Sequence, residues 1–274
     1  MSGLMAFLLI FCAFIVNKPK PDSIRNMAKK KAQRLLVPWL FWCAIYGIMK
    51  VIKTVIEGST LYDNFSISMF LTGPRLHLWF LPYAFIAALC LNYLHNLTEK
   101  IPLQTSTLIM SVIGVVALLV SSIILANVEL PLPFGHWIFG LPALLLGFAV
   151  GQNTLSEKGH SGHNPCFYII PMIIAVSVTL YGLGYTDRML LACDLAIGVG
   201  AVCAAFHWHG RLDPVSRVWG SLSYGIYFVH PFVITSLRKL GMCGSKSWLD
   251  VLMIFLISSL LVFLLKKTPA RQFV

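Results

Sequence analysis

The segment TSTLIMSVIGVVALLVSSIILA, from Thr105 to Ala126, carries no charged residue over its whole length. An uncharged, mostly apolar run of about 18 or more residues is typical of a transmembrane helix, because about 20 residues cross the hydrocarbon core of a bilayer. A helix is the form to expect, since lipid offers the backbone no hydrogen-bond partner. The sequence lacks the alternating segments of about 10 residues that mark a transmembrane β-barrel.

The same pattern recurs along the chain. Of the 274 residues, 58% are hydrophobic and 11% are charged, and the mean hydropathy is +0.80. A soluble domain would carry about a quarter charged residues. The sequence therefore predicts an all-α, polytopic transmembrane helix bundle that forms a single membrane domain over residues 1–274. It has about nine spans, roughly at 1–16, 36–56, 77–95, 105–126, 136–152, 166–184, 189–206, 222–240 and 248–265.

The formal net charge of +11 is concentrated in a few short loops. Such a charge on a soluble protein would suggest nucleic acid, but here membrane orientation explains it better, and we expect no nucleic-acid partner. With residues 17–35 on the cytoplasmic side, fourteen Lys and Arg fall on that side and five on the other, while Lys50 and Lys53 lie within a span. By the positive-inside rule this predicts a cytoplasmic C-terminus.

The first candidate binding motif is Lys29-Lys-Lys-Ala-Gln-Arg34-Leu-Leu-Val-Pro-Trp39, just before the second predicted span. It can be an anchor at the lipid headgroups, with Trp39 in the aromatic belt. It can also bind phosphate, because Lys31 and Arg34 share one face of a helix and Arg binds phosphate oxygens in bidentate fashion. A phosphate-bearing cofactor from the cytoplasm would dock there.

The second motif, Gly73-Pro-Arg-Leu-His77-Leu-Trp79-Phe-Leu-Pro82, opens the third span at the predicted outer face. A His and a Trp at a membrane interface are ordinary, because each has an apolar body and a polar edge. In the functional interpretation, His77 is a general base or an orienting donor, since the unperturbed pKa of His lies near neutrality.

The third motif is Ser221-Leu-Ser-Tyr-Gly-Ile-Tyr-Phe-Val-His-Pro231. Ser223, Tyr227 and His230 recur at i, i+4 and i+7 and so share one helical face, while Pro231 frees a backbone carbonyl beside His230. Polar groups within a span face the bundle interior or a water-filled cavity more often than lipid. Both a functional site and hydrogen bonding between helices remain open.

Three weaker candidates remain. Asp194 is an acid within a span, where carboxylates tend to be paired or functional. The pairs His160/His163 and His207/His209 can bind a metal only with further ligands, and no Cys or Asp completes a convincing spacing. The sequence therefore predicts no metal site.

Taken together and in this order, the motifs resemble the acyltransferase 3 family of membrane O-acyltransferases. The resemblance rests on Ser2-Gly3 leading an apolar helix, Lys31-Ala-Gln-Arg34 before Leu35-Leu-Val-Pro-Trp39, His77-Leu-Trp-Phe-Leu81, and Ser223-Tyr-Gly-Ile-Tyr-Phe-Val-His-Pro231. It implies a bundle that moves an acyl group, commonly acetyl, from cytoplasmic acyl-CoA to a glycan hydroxyl at or beyond the outer face. Lys31 and Arg34 are similar to the family's R-x-x-R motif, with Lys in the first position.

This chain differs from the family pattern at its start. The family typically has ten helices, and its first helix carries a basic residue and a catalytic histidine, whereas this chain begins where the family's second helix begins. We therefore expect that the 274 residues insert into the membrane but give little or no acetyl transfer, as a chain without the family's first helix.

The resemblance implies an O-acyltransferase that acts on a cell-envelope polysaccharide or glycolipid in the bacterial inner membrane. Lys31 and Arg34 would bind acyl-CoA, and His77 and His230, the candidate catalytic residues of this chain, would line the path to the acceptor. The family's first helix would supply the base that takes the proton from the acceptor hydroxyl. The expected partners are the glycan acceptor and membrane lipids. The alternative is a transporter or glycan flippase, which the many spans and Asp194 also suit, although the sequence shows no internal repeat.

Overall fold

The computed structural model describes residues 2–16, 23–60, 65–156, 166–207, 214–244 and 247–274. Within these ranges the chain is helical and without strands, as the sequence predicts. The helices are α1 (Ser2–Val16), α2 (Ile24–Ile56), α3 (Met69–Thr72), α4 (Phe80–Thr98), α5 (Leu103–Asn127), α6 (Phe134–Ser156), α7 (Cys166–Gly182), α8 (Thr186–His207), α9 (Pro214–Lys239) and α10 (Trp248–Leu265). Short 3₁₀ helices cover Leu76–Trp79 and Pro269–Phe273.

Nine of these helices in the described part of the chain coincide with the nine predicted segments, most of them to within a few residues. Two helices start well before the predicted spans, because residues 24–35 and 214–221 are helical and extend α2 and α9. The loop predicted at 17–35 therefore shortens, and its residues 17–22 lie outside the described ranges. Six helical segments among the described residues are long and apolar enough to cross a membrane, and Phe7–Val16 and Tyr168–Gly182 are shorter apolar helices.

The chain divides into two compact units. The first comprises residues 1–32, 67–72 and 79–209, and the second comprises residues 33–66, 73–78 and 210–274. The single domain expected over residues 1–274 stays a prediction.

In the first unit, α1 packs closely against α6 through the sequence Gly147-Phe-Ala-Val-Gly151. A Cβ atom at Gly147 would lie 2.8 Å from the Leu9 carbonyl oxygen, and one at Gly151 would lie 2.7 Å from the Ala13 carbonyl oxygen. Small residues four apart allow this close approach of backbones, which replaces the hydrophobic effect as the source of helix association in lipid.

A buried hydrogen-bond chain joins three helices of the same unit. Ser106 Oγ lies 2.9 Å from Gln152 Oε1, and Gln152 Nε2 donates to Thr98 Oγ1 at 3.1 Å. Gln152 is 3% exposed. The side-chain bonds link α4, α5 and α6, as polar residues commonly do between membrane helices.

In the second unit, α2 and α9 each contain a proline, and tyrosines join the two helices near those prolines. Pro38 has no N–H for the carbonyl oxygen of Arg34, four residues earlier, and that oxygen accepts a hydrogen bond from Tyr224 Oη at 2.8 Å. Tyr46 Oη donates to the Phe228 carbonyl oxygen at 2.6 Å, in the turn before Pro231. Helix α10 is tied to α9 by a bond from the Nζ of Lys266, just after α10, to the Ser221 carbonyl oxygen.

Candidate active site

Two histidines that lie 153 positions apart in the sequence meet within the second unit. His77 lies on the 3₁₀ helix Leu76–Trp79 and His230 lies on α9, and their ring centroids are 5.7 Å apart with an interplanar angle of 64°. Both side chains are half-buried. At this distance the two imidazoles place two acid–base groups side by side.

A glycine turn delivers His77 to this position. Gly73 has φ of +73°, a left-handed backbone that L side chains rarely adopt. A Cβ atom there would also lie 2.9 Å from Cys43 Sγ and 2.9 Å from Leu78 Cδ1. The chain can therefore turn tightly against α2 only with glycine at this position, and the turn leads directly into the 3₁₀ helix.

The backbone of α9 fixes the tautomer of His230. Its Nδ1 lies 3.1 Å from the carbonyl oxygen of Ile226, one turn earlier. Because a carbonyl oxygen only accepts, Nδ1 must carry the hydrogen in the neutral ring. Nε2 then presents a lone pair, which is the arrangement that a general base requires.

His77 offers a buried nitrogen beside it. Its Nε2 is buried and has no hydrogen-bond partner within the described ranges. The backbone of His77 is held in place, because its carbonyl oxygen accepts a hydrogen bond from Tyr227 Oη. A buried polar atom without a partner is unfavourable, so a substrate group that bonded His77 Nε2 would remove that cost.

Tyr46 supports the pair from α2. Its ring meets His77 edge to face at a centroid distance of 5.5 Å, and its hydroxyl is bound to Phe228 as described above. Trp42, one turn earlier, stacks on Phe228 at 5.5 Å and donates from Nε1 to the Phe273 carbonyl oxygen at 3.0 Å. The Tyr46 ring therefore packs against His77, and Trp42 in turn packs against Tyr46 and Phe228.

Arg75 lies at the edge of the same cluster. Its Cζ is 5.9 Å from the centroid of the Tyr46 ring, and its Nη2 is 3.4 Å from Thr235 Oγ1. The side chain is exposed. The cluster thus combines two imidazoles, the Tyr46 ring and one cation.

The predicted phosphate-binding residues lie near the start of α2. Lys31 and Arg34 are one turn apart there, and the Lys31 Nζ lies 5.9 Å from the centroid of the Phe11 ring. The Arg34 side chain is exposed. Arg34 precedes Tyr46 by 12 residues on one helix, which corresponds to about 18 Å along its axis. The structure therefore brings His77 and His230 together, whereas Arg34 lies several turns from Tyr46 on α2.

The other predicted candidates contribute less. Ser223 shares a helix with His230 but is exposed, and its hydroxyl donates to the carbonyl oxygen of Gly220. Asp194 is half-buried on α8 in the first unit. The side chains of the pairs His160/His163 and His207/His209 lie outside those that the structure describes. Among the described residues, no group of three or more His, Cys, Asp or Glu could hold a metal ion.

Sequence reasoning missed Tyr46 and Arg75. Tyr46 stands in an apolar span whose composition predicts only a helix, and Arg75 lies two residues from His77 in a turn where cations are common. A tyrosine within a span is a weak signal of a hydrogen bond, but its partner lies 182 positions away along the chain.

Chemically, the cluster suits proton transfer from a hydroxyl group. The His230 Nε2 lone pair can accept a proton, and the His77 ring can hold or orient the oxygen. Positioned imidazoles of this kind typically accelerate a reaction by about 10²–10⁴-fold.

The comparison with known families gives one match. The acyltransferase 3 family model, described as an acyltransferase domain, matches residues 1–267. No curated protein and no solved structure matches the chain.

Proposed function

The chain belongs to the acyltransferase 3 family, and on that premise we propose that it transfers an acetyl group from acetyl-CoA to a hydroxyl group of a cell-envelope polysaccharide or glycolipid. The family match and the apolar helices make it an integral membrane protein of an acyltransferase family. The observation that supports the specific reaction is the meeting of His77 and His230, with the Nε2 lone pair of His230 available as a base.

The chemistry follows from that lone pair, which puts the base within the 274 residues. The scheme therefore predicts acetyl transfer by this chain, whereas the resemblance places the base on the family's first helix and predicts little or none. The acceptor hydroxyl oxygen attacks the thioester carbonyl carbon of acetyl-CoA while His230 Nε2 takes the hydroxyl proton. The C–S bond then breaks, an ester forms on the acceptor, and the proton passes from His230 to the departing thiolate of coenzyme A. The bond from His230 Nδ1 to the Ile226 carbonyl oxygen favours the charged imidazolium, because a charge-assisted hydrogen bond is stronger than a neutral one.

His77 has a positioning role in this scheme. Its Nε2 bonds the acceptor hydroxyl or the oxygen of the thioester carbonyl and so aligns the two reacting atoms. Alignment contributes several kcal/mol to many enzymatic reactions, on the order of 7–11 kcal/mol at its limit. Tyr227 and Tyr46 hold the turn and the ring of His77 in that orientation.

Lys31 and Arg34 are the proposed binding residues for the phosphates of acyl-CoA. The exposed guanidinium of Arg34 has the planar donor geometry that suits phosphate oxygens. The separation of about 18 Å along α2 between Arg34 and Tyr46 is one that the extended pantetheine arm of coenzyme A would span. The thioester would then reach the histidines while the nucleotide stayed at the helix end.

The charge distribution gives this scheme a direction. The start of α2, which carries Arg34, is the more basic end of that helix. The positive-inside rule therefore favours a cytoplasmic position for the start of α2 and for the C-terminus. Acyl-CoA would enter from there, and the glycan would approach the histidines from the outer side of a bacterial inner membrane.

The test measures acetyl transfer by the 274-residue chain in membranes. Membranes containing the wild type are incubated with labelled acetyl-CoA and envelope glycans, and ester-linked acetyl is counted. His230→Asn keeps an amide that can donate to the Ile226 carbonyl oxygen but removes the base. We expect it to lower the rate by about 10²–10⁴-fold, with protein levels unchanged.

The matched control is His136→Asn, which alters a half-buried histidine in the first unit. This variant should retain the wild-type rate. An equal loss in the two variants, or a wild type that consumes no acetyl-CoA in the presence of any envelope glycan, would contradict the proposal.

A further inference from the structure

We propose that Arg75 selects acceptors that carry an anionic group, a carboxylate or a phosphate, near the hydroxyl that is acylated. The inference rests on the proposed function, because it concerns the acceptor of that reaction. It names a class of substrate, acidic glycans, and a specificity-determining residue that lies outside the acid–base pair.

Arg75 lies beside the two histidines of the candidate site. Its guanidinium lies over the ring of Tyr46, with Cζ 5.9 Å from the centroid, and Tyr46 itself contacts the His77 ring at 5.5 Å. The charge of Arg75 also acts electrostatically on His77. The Tyr46 ring therefore lies between the Arg75 guanidinium and the His77 imidazole, so one acceptor molecule can contact both.

Two contacts favour one orientation of the Arg75 guanidinium. Thr235 Oγ1 donates its hydrogen to the Pro231 carbonyl oxygen at 2.7 Å, so it can only accept from the Arg75 Nη2, 3.4 Å away. Tyr46 is held by its own hydrogen bond to Phe228. A guanidinium that is already oriented loses little conformational entropy when it binds a ligand.

Arg75 also carries a charge that the described residues do not neutralise. Within the described ranges, no acid forms an ion pair with it, while Glu57 pairs with Lys53 at 3.6 Å. The charge of Arg75 also acts on Lys50. A planar guanidinium binds carboxylate or phosphate through two parallel bonds.

The phosphates of acyl-CoA are a poorer match for Arg75. Arg75 lies beside Tyr46, and Tyr46 is about 18 Å along α2 from Arg34. An anion bound at Arg75 therefore belongs to the second substrate, which approaches from the other end of the helix.

The experiment measures binding, separately from transfer. Purified full-length protein in nanodiscs of zwitterionic lipid is titrated calorimetrically with three probes: a uronic-acid oligosaccharide, a phosphorylated oligosaccharide, and the carboxyl-reduced, neutral form of the first. Arg75→Gln should weaken binding of the acidic probes by about tenfold to a hundredfold and change binding of the neutral probe less than about twofold. Arg75→Lys should recover part of the affinity.

Arg238→Gln is the matched control, because Arg238 is another exposed cation of the second unit, in the last turn of α9. It should bind all probes as the wild type does. The inference is overturned if the wild type shows no preference for acidic over neutral probes, if Arg238→Gln has the same effect as Arg75→Gln, or if Arg75→Gln weakens acetyl-CoA binding instead.

Two further outcomes separate causes. A preference that depends on anionic lipid in the nanodisc, and not on the probe, would make Arg75 a headgroup contact and overturn the inference. Acetyl transfer to neutral glycans that survives Arg75→Gln while acidic probes show no advantage would overturn this inference and leave the proposed function standing.

Discussion

At the scale of single residues, Arg34 shows how a proline can fix the backbone of a proposed binding residue. Pro38 leaves the Arg34 carbonyl oxygen without its helical donor, and Tyr224 supplies the missing hydrogen bond at 2.8 Å. The backbone is thus tied to α9, while the guanidinium stays exposed for a ligand. Lys29, the first of three consecutive lysines, is also exposed but precedes Arg34 by five residues and therefore lies on another face of the helix.

We therefore expect Arg34→Ala to raise the KM for acyl-CoA by about tenfold to a hundredfold, the effect of losing a charge-assisted bond to phosphate. Lys29→Ala should change it less than about threefold. Steady-state kinetics at varied acetyl-CoA, with the glycan saturating, measures both. Similar effects of the two substitutions would indicate that bulk surface charge, and not a defined site, binds the donor.

At the scale of helices, a tyrosine compensates for the proline of α2, and a second tyrosine binds α9 near its proline. A proline within a membrane helix is tolerated when a neighbouring group satisfies the carbonyl that it leaves free. Tyr224 does so for the turn before Pro38, and Tyr46 binds the turn before Pro231. Both hydrogen bonds also link α2 to α9.

A double-mutant cycle tests this compensation. Tyr224→Phe should lower the free energy of unfolding by about 1 kcal/mol. In a Pro38→Ala background, the alanine can supply an N–H to the Arg34 carbonyl oxygen, so the same change should cost less. Reversible unfolding in SDS measures the coupling between the two positions.

Tyr93→Phe is the control, because Tyr93 is 62% exposed. It should have no effect on the free energy of unfolding in either background. A Tyr224→Phe cost that is identical in the wild type and in the Pro38→Ala variant would show that the hydroxyl acts independently of the proline.

At the scale of the whole molecule, the distribution of cations determines the predicted orientation. The fourteen Lys and Arg assigned to the cytoplasmic side are Lys18, Lys20, Arg25, Lys29, Lys30, Lys31, Arg34, Lys100, Lys158, Arg211, Arg217, Lys266, Lys267 and Arg271. The five on the outer side are Arg75, Arg188, Arg238, Lys239 and Lys246. The helix boundaries leave this alternation intact, since each predicted span coincides with one helical segment of the described chain.

Cysteine accessibility tests the orientation. In a background without the native cysteines, Ser59→Cys should react with a membrane-impermeant maleimide on intact cells, because residues 57–76 are predicted to be outside. Ser23→Cys should react only after the cells are opened. External labelling at position 23 together with protection at position 59 would show that the chain has the opposite orientation. The proposed direction of acyl transfer would then also be wrong.

The sequence predicted the helices well because each depends on local composition. A span must hide its own backbone from lipid, so length and hydropathy identify it without knowledge of its neighbours. The boundary errors at 24–35 and 214–221 have a physical reason: these segments are polar and helical, and hydropathy marks the membrane core, not the end of the helix.

The candidate site was predictable only in part. The motifs singled out His77, His230 and the stripe that contains Tyr227, because polar groups within spans are costly and so conspicuous. Nothing local indicates that Tyr46 and Arg75 complete the cluster, since Tyr46 reaches across to Phe228 and Arg75 to Thr235. Such pairings depend on which helices become neighbours.

By itself, the amino-acid sequence determined the class of this protein, the positions of its long helices in the described ranges, and the motifs of its family, because these follow from the one-dimensional order of apolar and polar residues. Only the tertiary structure decided that the rings of His77 and His230 lie 5.7 Å apart in one site, with Tyr46 and Arg75 beside them. The physical reason is that side-chain contacts, tautomers and hydrogen bonds are set by packing between distant segments, and a linear pattern does not encode those distances directly.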